Sequence, residues 1–255
     1  MSAGFQPRFG YSANEYATFR PDYPVELFER ILAVVPPHRR ERAIDLGAGT
    51  GHSTRPLLPH FTEVIVAEPD ALMAEKLRSI DARVDVRIVS AEDLVQEPDT
   101  CDLVTIAAAL YWMDTPRVIA NVGRWLRRGG ILAMWAGGLP RSPEAVTAIT
   151  LQEFADRWSR FRDPRLDLAA TSQHARSAVS IFSILEDCVV PNVVWITPRE
   201  FAGFWRSTSY GSAYARELAV PEAYWRDLEV RYSYAWPKGK IPVDFGPWLL
   251  LARKD

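Results

Sequence analysis

From Arg42 onward, short apolar runs alternate with longer amphipathic stretches, and that alternation leaves the chain few ways to fold. A run that is apolar at consecutive positions has to be covered on both faces, as parallel strands joined by crossover helices are. Strands are predicted at 43–46, 63–68, 84–89, 102–107 and 130–135, with helices between them. A helix over 26–35 precedes the first strand and is stopped by Pro36 and Pro37, which cannot continue the backbone ladder. A second covers 69–79. A third covers 116–126, with Asp114 or Thr115 as N-cap, Pro116 at the first helical position, and Gly129 and Gly130 ending it before the fifth strand.

Beyond Pro140 the periodicity changes. Residues 142–158 are predicted helical, with Val146, Ile149, Leu151, Phe154 and Trp158 on one side, and a polar stretch follows through Gln173. This reads as a helical cap inserted after strand five. A sixth strand is predicted at 188–197, helices at 198–210 and 221–234, and a last strand at 248–252. The pattern implies an α/β fold: a Rossmann-like, mostly parallel seven-stranded sheet with helices on both faces. Aromatic residues crowd the last quarter, from Trp195 to Trp236, as core filler or as the wall of an organic-substrate pocket.

The 255 residues carry a formal charge of −2, without the basic excess that a phosphate backbone would call for, so no nucleic acid partner is expected. Arg39, Arg40 and Arg42, and Arg124, Arg127 and Arg128, read as solvated helix ends or loops. Cys101 and Cys188 stand far apart and suggest neither a disulfide framework nor a zinc site. The longest apolar run, 103–113, falls short of the roughly 20 residues a bilayer span needs, and MSAGFQPRFG lacks a signal pattern. A cytoplasmic protein with no membrane partner is expected; the oligomeric state is left open.

The motif AIDLGAGTG, residues 43–51, runs an apolar strand straight into a loop with glycine at 47, 49 and 51. Glycine takes positive φ and lets the backbone approach a ligand with no Cβ in the way. Residues 52–58 are expected to open a helix whose free N–H groups face the ligand, with Pro56 in its first turns. A dinucleotide fingerprint, G-x-G-x-x-G/A, would place its third small residue at 52, which is His52 here. Crowding at that position argues against a pyrophosphate. Glu68 ends the second strand, where an acid accepts from both hydroxyls of a ribose. That supports an adenosine-type ligand without choosing between the two readings.

The loop resembles motif I of the class I S-adenosylmethionine-dependent methyltransferases, in which an acid on the first strand precedes G-x-G-x-G; Asp45 supplies that acid. The resemblance implies S-adenosylmethionine as cofactor, with Gly47, Gly49 and Gly51 passing under its amino-acid part, Asp45 holding its ammonium directly or through water, and Glu68 on its ribose. Ser90, Ala91 and Glu92 resemble the segment that contacts adenine, and Ala107 to Ala109 would leave room for the methionine arm. Order and spacing agree with the family across 43–135. YATFRPDYP, residues 16–24, and AALYWMD, residues 108–114, are similar to the trans-aconitate methyltransferase-like subgroup of small-molecule enzymes. That likeness implies that Tyr16 and Arg20 close over the cofactor, the guanidinium near its carboxylate.

One departure matters. The subgroup commonly carries His-Trp after strand four, and this chain has Tyr111-Trp112. An unperturbed tyrosine, with a pKa of about 10, is a poor base near neutral pH, so Tyr111 is expected to orient the substrate. Tyr111, Trp112 and the cap residue His174 are the catalytic candidates. His38, His52 and His60 show no metal-ligand spacing. The expected organisation is one methyltransferase domain over 1–255: an N-terminal lid and helix (1–41), a cofactor-binding core (42–138), the cap (139–187) and C-terminal strands and helices (188–255). The function implied is methyl transfer to a small organic acceptor, with oxygen preferred through the subgroup resemblance. A cofactor-binding protein with non-methylating or regulatory function, and a nicotinamide oxidoreductase, are the rival readings.

Overall fold

A computed structural model describes residues 13–255. The N-terminal segment expected to lack a signal pattern, and the start of the expected lid, lie outside the described residues. The elements in chain order are α1 (Ala13–Phe19), α2 (Val25–Val34), β1 (Arg42–Leu46), β2 (Glu63–Ala67), α3 (Ala71–Arg78), β3 (Val84–Arg87), β4 (Cys101–Ala107), α4 (Thr115–Trp125) and β5 (Leu126–Ala136). They continue with α5 (Glu144–Glu153), α6 (Leu168–Ala178), β6 (Ser183–Val189), β7 (Val193–Ile196), α7 (Pro198–Arg206), α8 (Ser209–Ala215), α9 (Pro221–Ala235), β8 (Ile241–Asp244) and β9 (Trp248–Arg253).

The chain divides into two compact units. The larger takes Asp22–Gly138, Asp167–Val190 and Pro247–Asp255; the smaller takes the chain up to Pro21, Leu139–Leu166 and Pro191–Gly246. The stretch anticipated as a cap, 139–187, is therefore shared between them.

The larger unit holds a seven-stranded sheet in the order β3-β2-β1-β4-β5-β9-β6. Strands β1 to β5 pair in parallel, and β9 pairs antiparallel to both β5 and β6. The sheet is thus mostly parallel, as the alternation implied. Side chains alternate between its faces. Ile44, Leu46, Val104, Ile106, Leu132 and Leu250 face α4 and α6, whereas Ala43, Val64, Leu103, Ile131, Trp135 and Leu251 face α2 and α3. Helix α4 starts as the sequence predicts: Asp114 caps it by accepting from the Arg117 N–H at 3.3 Å.

Four expectations are corrected. Residues 52–58 do not form a regular helix but turns with a short 3₁₀ segment, Arg55–Leu57, because Pro56 has no N–H to give to the residue four back. Gly129 and Gly130 lie inside β5, which begins at Leu126, and absorb a register shift against β4 at Cys101/Leu103. The sixth strand predicted at 188–197 is cut at Pro191: β6 ends in the seven-stranded sheet, while β7 pairs with β8 in the smaller unit. Strand β8 was not predicted; Pro242 within it has no N–H to donate, and in a two-stranded ribbon a residue has at most one neighbouring strand to serve.

In the smaller unit, the aromatic crowd of the last quarter is mainly core. Phe201, Trp205, Tyr210, Trp225 and Tyr232 are buried together with Trp158 and Val146. The arginine clusters of the larger unit are used within the fold: Arg40 donates to the Val35 and Leu32 carbonyls at 2.9 and 2.8 Å, Arg42 pairs with Glu63, and Arg127 with Glu41 and Asp102. Burial pushes the thiols of Cys101 and Cys188 up to about 11, so neither is a thiolate at neutral pH. No helix among the described residues is long and apolar enough to cross a membrane.

Strand β4 ends in a bend at Ala108, whose φ is +50° while its N–H donates to the Trp135 carbonyl at 2.7 Å. Left-handed backbone costs an L-residue about 1–2 kcal/mol, and glycine would lose about 0.5–1 kcal/mol of that gain to entropy. A108G is expected to leave stability unchanged or raise it by up to about 1.5 kcal/mol in urea or thermal melts. A clear loss of stability would contradict the bend.

Candidate cofactor site

The glycine loop is fixed from below by Asp45. This residue lies on β1 with no exposed surface. Its Oδ2 accepts from the hydroxyls of Ser53 and Thr54, each at 2.7 Å, and its Oδ1 accepts from the Thr105 hydroxyl at 2.8 Å. Burial raises the Asp45 pKa, against which the three hydroxyl donors stabilise the charge. The carboxylate therefore closes the span from β1 to residues 53 and 54 and ties it to β4. Ser53, Thr54 and Thr105 were missed by sequence reasoning, although a buried acid demands donors and an adjacent Ser-Thr pair just past the loop was there to supply them.

The three glycines serve different ends. Gly47 (φ +68°) passes so near β4 that a Cβ would lie 2.7 Å from that of Ala109. The small residues that follow β4 thus have a packing reason at Ala109. Gly51 (φ +90°) is filled in by α3 and the turn after it: a Cβ would meet Ile80 at 2.2 Å. Only at Gly49 (φ +58°), of the three, would a Cβ have nothing within 4 Å. The backbone at Gly49 is open to an incoming group; at 47 and 51 it is pressed against protein.

Glu68 follows β2 and is 7% exposed. Its Oε2 accepts from the Gly49 N–H at 2.8 Å and its Oε1 from the Asp70 N–H at 2.9 Å. Burial raises its pKa, and those two backbone donors pull the other way. An acid and an open loop peptide thus stand together, joined by one hydrogen bond. This pairing fits an adenosine-type ligand, since the same oxygens can accept from sugar hydroxyls while the loop admits the rest of the molecule.

Across the matched segment the comparisons point one way. Residues 44–134 match the model of the methyltransferase domain family. Over these residues the core of the larger unit is similar to a methyltransferase domain. A protein of Dictyostelium discoideum named as a methyltransferase is 34% identical over 138 residues, covering 53% of this chain and 51% of that protein. A trans-aconitate 2-methyltransferase of Rhodococcus jostii is 29% identical over 157 residues, 59% of this chain and 58% of that one. The chain spans about half the length of the curated relatives it matches. A solved structure from Anaeromyxobacter dehalogenans, described as a type II methyltransferase, superposes with a TM-score of 0.75 at 24% identity, over 92% of this chain and 98% of that one. At that identity the likeness shows the fold.

Within the matched segment, the residues expected at adenine are held by local bonds. The Ser90 hydroxyl donates to Asp93 at 3.0 Å and accepts from the Asp93 N–H at 3.2 Å. Glu92 accepts from the Asp114 N–H at 2.6 Å, at the start of α4. Ala91 is buried in the core. Both polar side chains therefore shape the turn.

Ala107 is the last residue of β4, and Tyr111 and Trp112 follow on a 3₁₀ turn, their rings edge to face at 5.1 Å. His174 lies on the exposed face of α6, whose buried face carries Thr171, Ser172 and Ala175. His52, expected to be structural, is within 3.1 Å of the Thr50 hydroxyl. In the smaller unit, the Arg20 guanidinium stands over the Tyr16 ring at 4.9 Å and the Phe204 ring at 4.6 Å, and its Nε is buried without a hydrogen-bond partner. A cavity of about 490 Å³ also belongs wholly to the smaller unit and includes no residue of the glycine loop. The candidate cofactor residues of the larger unit gather instead at the glycine loop, where Glu68 accepts from the Gly49 N–H.

The glycine roles separate in stability measurements. G49A is expected to cost about 1 kcal/mol, the strain of an L-residue at positive φ. G51A carries that strain plus overlap with Ile80 and is expected to cost about 2–4 kcal/mol. Equal losses in chemical denaturation would refute the distinction.

Proposed function

We propose that the chain transfers a methyl group from S-adenosylmethionine to a small organic acceptor, with oxygen as the receiving atom. The observation that carries this reading is the open backbone at Gly49 beside the buried carboxylate of Glu68. The family match over 44–134 supports it, and the relative named for trans-aconitate supports the small, oxygen-bearing acceptor. When bound, the cofactor supplies a methyl carbon activated by positive sulfur.

The protein's part is then placement. Gly49 admits the amino-acid portion, Glu68 turns its oxygens to the ribose, and Asp45 holds the loop in shape; any part it takes at the ammonium would be through the carboxylate that the three hydroxyls already hold. The Ala91 backbone serves the adenine, and Ala107 borders the methionine arm. Tyr111 and Trp112 orient the acceptor, with His174 as the candidate for moving a proton. Alignment of acceptor and methyl in a near-attack geometry contributes up to roughly 7–11 kcal/mol. A carboxylate acceptor would need no base. Tyr16 and Arg20 are assigned to the cofactor by the subgroup resemblance, a guanidinium suiting a carboxylate. An intracellular, cytoplasmic setting accords with the thiols of both cysteines being free.

Calorimetric titration tests the cofactor and transfer of a labelled methyl group tests the reaction. The wild type is expected to bind S-adenosylmethionine and S-adenosylhomocysteine and not NADH. E68Q is expected to weaken binding about tenfold to a hundredfold, through loss of charge-assisted bonds to the ribose worth about 1.5–3 kcal/mol. Undiminished affinity in E68Q would overturn the assignment.

The same variant has a stability signature. A carboxyl whose pKa is higher folded than unfolded loses stability as pH rises from the unfolded value, here the ordinary 4.5, towards the folded one. Glu68 thus opposes folding at neutral pH relative to acid. E68Q is expected to reduce the stability lost between pH 4 and pH 7, read from urea midpoints; an unchanged slope would show that Glu68 titrates normally.

A further inference from the structure

We propose that the smaller unit contains a binding site of its own for an uncharged, ring-bearing organic molecule, in the cavity bounded by the start of α5 and by α7. The proposal is independent of the cofactor reading. The cavity holds about 490 Å³, inside the range of small-molecule sites, and Thr147, Thr150, Leu151 and Phe154 place one face of α5 along it. Trp205 of α7 also lines it.

Three features set this cavity apart from a packing gap. Its lip is apolar and exposed: Leu139 and Leu151 keep 52% and 53% of their surface accessible. Exposed leucines flanking a cavity offer contact area to a ligand that the protein itself does not use. The wall is preorganised, because Phe154 packs edge-on to Tyr210 at 5.8 Å, and Trp205 stacks on Trp158 at 5.3 Å. Lastly, α5 widens into a π-helical turn over Phe154–Trp158, beginning at the residue that enters the wall. Such turns occur frequently at functional sites. This one is anchored by Glu153, fully buried, which binds Arg157, Arg231 and the Tyr224 hydroxyl.

The charge of the occupant follows from the partners already taken. Arg141 at the rim is bound to Asp244 at 2.5 Å, and Glu144 stands in the first turn of α5, where the helix N-terminus favours an acid. The Thr150 hydroxyl is held by Tyr232 at 2.9 Å. An anionic ligand would give up water against Leu151, Phe154 and Trp205 and face the Glu144 carboxylate, while the lining's one cation, Arg141, is already bound to Asp244. A neutral ring loses little and gains the aromatic wall.

Calorimetry on the full chain with 2-naphthol and 2-naphthoate as probes tests this. One saturable site for 2-naphthol is expected, with 2-naphthoate at least tenfold weaker. T147W, which fills the cavity, and L151E, which puts a charge on its exposed lip, are each expected to weaken 2-naphthol at least tenfold. Position 151 is solvent-exposed, so L151E keeps the test valid if T147W misfolds. Absence of saturable binding, equal or better binding of 2-naphthoate, or affinity unaltered in folded L151E would overturn the proposal. S-adenosylhomocysteine titrated in parallel reports on the cofactor reading separately: it is expected to bind the wild type and both variants alike.

Discussion

A single buried carboxylate organises the larger unit's working edge. Asp45 sits where no water reaches it, and three hydroxyls from two other parts of the chain are committed to it. An unpaired charge at such a place would be prohibitively costly, so the loop can take only conformations that bring Ser53 and Thr54 back to β1. The positive φ angles of Gly47, Gly49 and Gly51 are the backbone's answer to that demand for closure. Once the loop is closed, Gly49 meets Glu68 without further adjustment.

The assignment of roles among the acids follows from this. Asp45 has no exposed surface and accepts from three hydroxyls, two on Oδ2 and one on Oδ1, so it shapes the loop, whereas Glu68 has one backbone partner on each oxygen and keeps two lone pairs for another group. Burial raises the pKa of both, so both oppose folding at neutral pH relative to acid. In the smaller unit the comparable buried acid, Glu153, is surrounded by two arginines and a tyrosine and anchors an unusual helical turn.

Much of this was legible in the residues. Continuous apolar runs located β1 to β5, and Asp114 with Pro116 marked the start of α4, because two-sided burial and capping are local demands that leave a local trace. The spacing of the three glycines likewise separated this loop from a dinucleotide fingerprint. What the sequence concealed depended on contacts between distant positions. Nothing local shows that Thr105 reaches Asp45, that Ala109 is small because Gly47 lies against it, or that Pro242 is tolerated in a two-stranded ribbon. The helix expected over 52–58 failed for the opposite reason: Pro56 was visible, and its missing N–H outweighed the tendency of such a loop to open a helix.

The smaller unit is spliced into the larger one. Leu139–Leu166 leaves after β5 and Pro191–Gly246 leaves after β6, each giving way to chain that returns to the sheet's unit. Segments tethered at both ends to a rigid frame can change length and residue type without disturbing strand order, since loop closure varies only slowly with length. The two spliced segments can therefore vary while the strand frame stays constant. A family signature confined to 44–134, inside the frame, is what such a division of evolutionary labour would leave behind.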